Sequence, residues 1–528
     1  MKNTFKYIAL IAAIGMASCE PEFENKVTDI GFYDTGSADM TTYVAVGNSL
    51  TAGFADGALY ITGQESSYPN IMAGQFALAG GGDTFTQPLT NDNFGGLLLN
   101  GTQITNNRLV LAVGADGNPG PVLLEGAPTT EITSSATGPF NNMGVPGAKS
   151  FHLVAPGYGN VAGVPTGAAN PYYARFATSA SATVIGDAAA LNPTFFSLWI
   201  GNNDILSYAT SGGIGVDQTG NFDPSTYGPN DITDPNVFAG AYAAQVDALT
   251  AGGAGGVLIN LPNVTSIPFF TTVPFAPLDP TNPDFGPQIP TLNATFAGLN
   301  GAFAFLGVPE RSIVFSETAA SPVVVHDESL TNLATALRDV LIAGGLDAPT
   351  ATIFGLQFGQ SRQATIDDLL VLTSSSVIAT LNEDRFAELV ALGLPAETAV
   401  QLSVNGVTYP LEDQWVLVPT EQESIATANA AYNATIQGLA NANNLAFVDA
   451  RSELAILATS GIGYNGGVLT SQFVTGGGFS LDGVHPTPRG YAYVANLAIQ
   501  EINTTYGATI PTVDIGNYAT ITLANNGN

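Results

Sequence analysis

The chain has 528 residues, of which 45% are hydrophobic and only 10% are charged, and its formal net charge is −31 at pH 7. This length and hydrophobic content suffice for one large domain, or two ordinary ones, with a sizeable buried core. The charge excludes nucleic acid and anionic lipid as partners, because binding them needs Lys and Arg to displace the counterions of the phosphates. We interpret the negative charge as a property that favours solubility.

The first residues predict a signal that exports the chain. Lys2 and Lys6 form a short basic head before the apolar run Tyr7–Gly15, which is shorter than the roughly 20 residues that span a bilayer. Small residues follow and end at Cys19, the only cysteine, so no internal disulfide can form. This order is similar to a bacterial lipobox, which implies removal of residues 1–18 and lipidation of Cys19. A plain secretory signal with an incidental cysteine is the alternative.

The acidic stretch after the cysteine, Glu20–Asn25 (EPEFEN), resembles the surface-export signals of Bacteroidetes-type lipoproteins. The resemblance implies a lipid-anchored protein on the outer membrane or cell surface of a Gram-negative bacterium. Residues 19–40 would then form the anchor and a linker. No later apolar run is long enough to span a membrane, so we expect the N-terminal lipid to be the sole membrane contact.

Four short apolar runs predict buried strands in the rest of the chain, namely Thr42–Val46, Phe195–Ile200, Val257–Asn260 and Leu445–Val448. Amphipathic helices are predicted before the last two, over Val237–Thr250 and Ser424–Asn443. Continuous apolar strands that alternate with helices predict an α/β fold, with a parallel sheet covered by helices on both faces. Active sites of such sheets lie at the carboxyl ends of the strands.

Two long stretches, at about residues 80–140 and 262–423, interrupt this alternation. The first is rich in Gly, Asn and Thr with short β-like runs, which predicts a hairpin-rich insertion. The second begins with a Pro- and Phe-rich loop and continues through weaker helical patterns such as Glu383–Gly393. Stretches of this size are typical of functional lids or extra subdomains. Its part Phe269–Phe285 is equally compatible with an acyl or aromatic pocket and with core packing.

Four motifs follow one another along the chain. GNSLTAG contains Ser49 directly after the first predicted strand, and NMGVPG (Asn142–Gly147) is predicted to be a tight Gly/Pro loop. IGNND (Ile200–Asp204) ends the second predicted strand, and DGVHP (Asp482–Pro486) lies near the C-terminus. In this order the motifs resemble the conserved blocks of the SGNH hydrolase family, also called GDSL-type esterases and lipases. Four blocks in order are far more specific than any single one.

The resemblance implies a serine esterase and assigns a role to each residue. Ser49 would be the nucleophile, His485 the base that takes its proton, and Asp482 the carboxylate that orients the histidine. The oxyanion hole would consist of the backbone N–H of Ser49, the backbone N–H of Gly147 and the side-chain amide of Asn203. The expected substrate is an acyl ester, either an acylated glycan or a short-chain lipid ester.

The resemblance also implies the domain organisation. The hydrolase domain, a three-layer flavodoxin-like fold with the two insertions, would span residues 41–508 and be followed by a C-terminal tail over residues 509–528. We expect a monomer that needs no metal and no organic cofactor.

One residue departs from the family pattern. Asn48 stands where the family carries the aspartate of its Gly-Asp-Ser-Leu block, a position that mainly braces the nucleophile turn through its oxygen. Asparagine retains one acceptor and adds donors, so we expect the turn to persist. An alternative function is a non-catalytic surface lipoprotein that binds glycan or a partner protein. A further alternative is a phospholipase or acyltransferase with the same residues.

The sequence HDE at His326–Glu328 is a candidate group of metal ligands. No second cluster in the sequence completes it, so no metal site is predicted there. His326 and His152 are instead interpreted as ordinary core or surface residues.

Overall fold

The computed structural model describes residues 32–114 and 117–524. The predicted signal peptide, the predicted lipidation site Cys19 and most of the predicted linker lie outside these residues. Among the helices of the described part, none is both long enough and apolar enough to cross a bilayer.

The centre of the fold is a five-stranded parallel sheet. In chain order its strands are β1 (Tyr43–Gly47), β2 (Asn142–Gly144), β3 (Phe195–Trp199), β4 (Gly255–Ile259) and β5 (Ala446–Val448). They lie side by side in the order β5-β4-β3-β1-β2. The chain thus adds β2 on one side of β1 and then crosses to add β3 on the other side. Doubly wound sheets form their ligand crevice at the point where the strand order reverses in this way, here between β1 and β3.

The apolar runs of the sequence form the strands because each is covered on both faces. Every residue of β1 and β3 is buried, as expected for the central strands of a parallel sheet. The two strands pair in register, with Val44 opposite Phe196 and Val46 opposite Leu198. All four strands that the sequence predicts are confirmed, with small shifts at their ends.

The prediction of a loop over the whole of NMGVPG is wrong. Asn142–Gly144 form β2, which pairs with Ala45–Gly47 of β1 at the edge of the sheet. The strand is too short to show a hydrophobic pattern of its own, and its hydrogen bonds to β1 are what stabilise it. Only Val145–Gly147 forms the predicted tight loop.

Helices flank the sheet in two groups. The helix Tyr68–Leu78 packs against Pro488–Tyr506, which also covers β4 and β5. In the second group, Pro419–Ala442 packs against Pro235–Thr250 and on β4. Both helices predicted from the sequence are thereby confirmed. The main helices of this layer structure are α1 (Ser49–Ala52), α2 (Tyr68–Leu78), α3 (Asn203–Thr210), α4 (Pro235–Thr250), α5 (Pro419–Ala442), α6 (Ala450–Thr459) and α7 (Pro488–Tyr506).

The segment between β4 and α5 has a hydrophobic core of its own. Buried side chains between Leu278 and Val418 form a cluster that is separate from the cluster around the sheet. The helical pattern predicted from Glu383 is confirmed. The longer elements of this segment are the helices Ile289–Phe305, Ala334–Ala343, Ala348–Phe358, Glu383–Ala391 and Ala396–Gln401, and the strand pairs Val324–His326 with Ser361–Gln363 and Leu369–Leu370 with Val416–Leu417.

Short strands also form outside the central sheet. Most of them lie in residues 80–140, where the sequence predicts hairpins. Their pairs are Leu109–Val113 with Pro119–Leu123, Leu97–Leu99 with Thr102–Gln103 and with Thr130–Glu131, and Ile462–Tyr464 with Gly467–Leu469. Shorter helices are Ile61–Glu65, Pro171–Ala174, Val184–Ala189 and Pro268–Thr271.

Candidate active site

Ser49 lies at the carboxyl end of β1, where it begins the short helix α1. The preceding Asn48 caps this helix, since its Oδ1 accepts a hydrogen bond from the N–H of Leu50 at 3.0 Å. The Nδ2 of Asn48 donates to Oδ1 of Asn202 at 3.2 Å. The asparagine therefore braces the turn through its oxygen, as the sequence predicts, and its amide adds a link to the end of β3.

The turn before Ser49 is packed too tightly for a side chain at its first residue. A Cβ on Gly47 would lie 2.1 Å from Oγ1 of Thr51 and 2.4 Å from the carbonyl oxygen of Trp199. Only glycine fits there. This close packing fixes the path of the backbone between the end of β1 and Ser49.

His485 stands between Ser49 and Asp482. Its Nε2 is 2.9 Å from Oγ of Ser49, and its Nδ1 is 2.8 Å from Oδ2 of Asp482. A carboxylate can only accept at Nδ1, so the proton sits on that nitrogen and Nε2 is left to accept from the serine hydroxyl. The structure thus brings three of the predicted site residues together from opposite ends of the chain.

Asp482 is held in its charged form. Besides His485 Nδ1, its oxygens accept the backbone N–H groups of Gly57 at 2.9 Å, Val484 at 2.9 Å and His485 at 2.8 Å. Burial by itself raises the pKa of a carboxylic acid. Here the electrostatic interaction with His485 and the hydrogen bonds from His485 and Val484 outweigh burial and lower the pKa of Asp482 to about 2.

Asp56 positions the loop that carries Asp482, and no motif in the sequence marks it. Its Oδ1 accepts from the N–H of Leu481 at 3.0 Å, and its own N–H donates to Oγ of Ser480 at 2.9 Å. Ser480 Oγ in turn contacts Oδ1 of Asp482 at 3.1 Å. Burial raises the pKa of Asp56. Its sole sequence signal is an Asp-Gly pair, which is common to turns.

The predicted oxyanion donors lie around the same turn. Within residues 32–114 and 117–524, neither the N–H of Ser49 nor that of Gly147 donates a hydrogen bond to another residue. Asn203 Nδ2 donates to the carbonyl of Ala148 at 2.9 Å, next to Gly147, and its amide has a second N–H. N–H groups without a protein acceptor are what a developing oxyanion needs.

Asp204, the last residue of IGNND, ties the loop of Gly147 to α3. Its two oxygens accept from the N–H of Ser150 at 2.8 Å and from Oγ of Ser150 at 2.7 Å. The carboxyl group is fully buried, and this burial raises its pKa although the Ser150 hydrogen bonds oppose the change. Asp204 thereby sets the position of Gly147 relative to Asn203.

A cavity of about 110 Å³ opens beside Ser49 and His485. Asn203 also lines it, whereas Gly147 does not. Most of the remaining wall is apolar, and burying a polar ligand group there without a hydrogen bond would be unfavourable. The apolar wall includes Leu50, Trp199, Leu206, Pro262, Val264, Ile267, Leu454, Leu457, Leu469, Phe479, Val494 and Leu497.

The Phe-rich stretch Phe269–Phe285 does not line the cavity beside Ser49, and of its two interpretations the structure supports core packing. Phe270 is buried in the core around the sheet, and Phe285 is buried in the core of the segment between β4 and α5. Burying these rings stabilises both cores. Phe269 contributes to the site through its backbone, since its N–H donates to the carbonyl of Gly483 at 3.0 Å.

Potential metal ligands gather elsewhere in the described residues. Side chains of Glu328, Asp413 and Glu421 converge on one another, away from the cavity of Ser49. Glu328 is the last residue of the HDE sequence, and His326 is not part of the group. Glu328 is therefore joined by carboxylates that are distant along the chain, which the sequence does not mark as a cluster.

Neither a protein-family model nor a curated protein nor a solved structure matches the chain. What it can do follows from its geometry. A hydroxyl, an imidazole and an ionised carboxylate in one hydrogen-bonded row can activate a serine for attack on a carbonyl carbon.

Proposed function

We propose that this protein is a serine ester hydrolase of the SGNH type, which cleaves acyl esters through an acyl-serine intermediate. The observation that carries the proposal is the row of Ser49, His485 and Asp482, with contacts of 2.9 and 2.8 Å at the two ring nitrogens. The order of the four motifs supports it. So does the strand order, since β5-β4-β3-β1-β2 is that of flavodoxin-like sheets.

In the proposed reaction, Ser49 Oγ attacks the ester carbonyl carbon while His485 Nε2 takes the hydroxyl proton. Asp482 stabilises the imidazolium that forms. The N–H groups of Ser49 and Gly147 and the amide of Asn203 stabilise the negative oxygen of the tetrahedral intermediate. His485 then gives the proton to the alcohol as it leaves, and water hydrolyses the acyl-serine by the same sequence of proton transfers.

Labelling by a fluorophosphonate probe, which phosphonylates activated serines, tests the proposal. We expect the wild-type chain to be labelled and Ser49→Ala and His485→Ala to lose labelling. The matched control is Ser460→Ala, which removes an exposed serine and should leave labelling unchanged. If the wild type is not labelled, or if Ser49→Ala is labelled equally, the catalytic proposal fails and a binding protein remains.

The apolar cavity supports a hydrocarbon acyl chain as the buried half of the substrate. Its wall includes Leu454 and Leu457 of α6 and Val494 and Leu497 of α7. A glycan in the same place would lose hydrogen bonds to water without replacement. We therefore place the acyl chain in the cavity and the alcohol, whether sugar or lipid, outside it.

A substitution that fills the cavity tests this orientation. Leu457→Trp should lower kcat/KM for p-nitrophenyl octanoate by about tenfold or more relative to p-nitrophenyl acetate, because the longer chain loses its space. The matched control is Ile456→Trp on the same helix, where Ile456 is 41% exposed and does not line the cavity. An unchanged chain-length preference in Leu457→Trp would show that the acyl chain binds elsewhere.

Export and lipidation are part of the proposal and rest on the sequence around Cys19. Expressed with its own signal in a Gram-negative host, the chain should fractionate with membranes, and Cys19→Ser should release it. A wild-type chain found only in the soluble fraction would contradict the lipid anchor.

A further inference from the structure

Three carboxylates meet where the segment between β4 and α5 joins the rest of the fold. Glu328 and Asp413 come from that segment, and Glu421 lies in the first turn of α5. One oxygen from each lies within 4.8 Å of those from the other two. Two oxygens that bind one Ca²⁺ at about 2.4 Å can be at most about 4.8 Å apart, so the spacing matches a single shared ion.

Glu421 is fixed in place and has an oxygen without a partner. The residue is 5% exposed, and its Oε2 accepts from the N–H of Val418 at 2.7 Å, which caps α5. Its other oxygen, Oε1, is buried and accepts no hydrogen bond from any described residue. Oδ1 of Asp413 is likewise buried and accepts no hydrogen bond from a described residue. A buried acceptor without a donor is unfavourable, and an ion between the two oxygens would remove that cost.

Among the residues that the structure describes, no protein cation neutralises the group. Within the described ranges, none of the three carboxylates forms an ion pair with Lys, Arg or His. Arg362 pairs instead with Asp327 at 2.7 Å and with Asp368 at 2.6 Å.

The end of α3 closes one side of the group. A Cβ on Gly213 would lie 1.8 Å from Oε1 of Glu421, and a Cβ on Gly212 would lie 2.1 Å from the carbonyl oxygen of Asp413. This turn therefore accepts only glycine at both positions. Glu328 is exposed, which leaves a route for an ion and its water ligands.

We propose that Glu328, Asp413 and Glu421 bind one divalent cation, with Ca²⁺ as the best match. Three carboxyl groups that offer only oxygen ligands suit a hard cation, and Ca²⁺ tolerates irregular geometry with water or carbonyl oxygens completing its six to eight ligands. Zn²⁺ sites usually include His or Cys, and this group has neither. The ion would tie the separate core of the segment to α5 and to the turn after α3. The inference does not depend on the esterase proposal.

Calorimetric titration of the EDTA-treated, dialysed full chain with CaCl₂ tests the site. We expect one Ca²⁺ per chain, and a rise in Tm of about 2 °C or more at saturating CaCl₂. Glu421→Gln and Asp413→Asn should weaken binding by at least about tenfold, since even indirect support of a metal site is worth that much. Glu423→Gln, an exposed position on the same helix, is the matched control and should bind like the wild type. The absence of saturable binding to the wild type overturns the proposal.

Thermal unfolding of Glu421→Gln separates ion binding from a purely structural role. Glutamine retains the acceptor for the N–H of Val418, so the cap of α5 persists. In EDTA the variant should be at least as stable as the wild type, because one of three crowded carboxyl groups is replaced by an amide, whereas in CaCl₂ the wild type should be the more stable. Equal increases in Tm for both proteins would place the ion elsewhere and overturn the assignment. Should Glu421→Gln fail to fold, Glu328→Gln, at an exposed residue, must still weaken binding for the proposal to stand.

Discussion

Asp482 and Glu421 are both buried carboxylates, and their surroundings move their pKa values in opposite directions. Asp482 accepts backbone N–H groups from Gly57, Val484 and His485 as well as the ring N–H of His485, and its pKa falls to about 2. Glu421 accepts one N–H, that of Val418, and faces other carboxylates, so burial prevails and its pKa rises to about 9.

The comparison shows that the donors around a buried carboxylate, more than burial, decide its charge. The loop of Asp482 is rich in N–H groups that point at one carboxylate, so the fold itself stabilises the charge that the proposed mechanism uses. In the part of the chain that the structure describes, the group of Glu328, Asp413 and Glu421 receives a single backbone N–H, that of Val418, so its charge must be balanced from solution, by protons or by the proposed cation.

The largest expected effect comes from removing the charge of Asp482. Asp482→Asn keeps the shape of the side chain, but its amide can donate to Nδ1 of His485 and so favour the wrong tautomer. We expect kcat for a p-nitrophenyl ester to fall by about 10⁴-fold. Asp247→Asn, at an exposed position on α4, is the control. A loss of less than about tenfold would mean that the charge is not used.

A smaller effect is expected at Asn203, whose amide is neutral and serves as a donor. Asn203→Ala should lower kcat by about 10²- to 10³-fold, because one of three oxyanion donors is lost. Labelling by the fluorophosphonate should slow but persist, since Ser49 and His485 are retained. Because Asn203 also donates to Ala148, the Tm of the variant should be measured alongside, and an unaltered kcat would remove Asn203 from the oxyanion hole.

The pH dependence of stability tests the low pKa of Asp482 directly. Its pKa lies below the ordinary value of 3.8 in the folded chain, so its charge contributes stability above about pH 4, and this contribution is lost as pH falls towards 2. The free energy of unfolding of the wild type exceeds that of Asp482→Asn, and we expect this difference to be smaller at pH 2 than at pH 5 by about 2 kcal/mol. Urea titrations at each pH measure it. An advantage independent of pH would show that the donors do not act on a charge.

The smallest effect is expected at the position that departs from the family pattern. Asn48→Asp keeps the oxygen that accepts from Leu50 and loses the donor to Asn202, one neutral hydrogen bond worth about 0.5–1.5 kcal/mol. The change in kcat/KM should therefore remain within about tenfold. A larger change in either direction would show that the amide of Asn48 takes part in more than bracing the turn.

The hydrophobic pattern within a single segment was enough to predict several strands and helices. The strands at Val44 and Phe196 are continuous apolar runs, and α5 repeats apolar residues every three or four positions, so each can be recognised without knowing its neighbours. The order of four motifs likewise selected Ser49, Asp482 and His485. The spacing of Asp482 and His485 within one loop made their contact predictable from the sequence alone.

Long-range contacts decided the rest. β2 exists because β1 offers it hydrogen bonds, Asp56 acts on a loop at the other end of the chain, and the cavity wall comes from α6 and α7 instead of the Phe-rich stretch. The sequence by itself determined the parallel α/β architecture and the residues that could carry the chemistry. Only the tertiary structure decided which donors reach each buried carboxylate, because those donors are backbone N–H groups that every residue type carries and that no sequence pattern reveals.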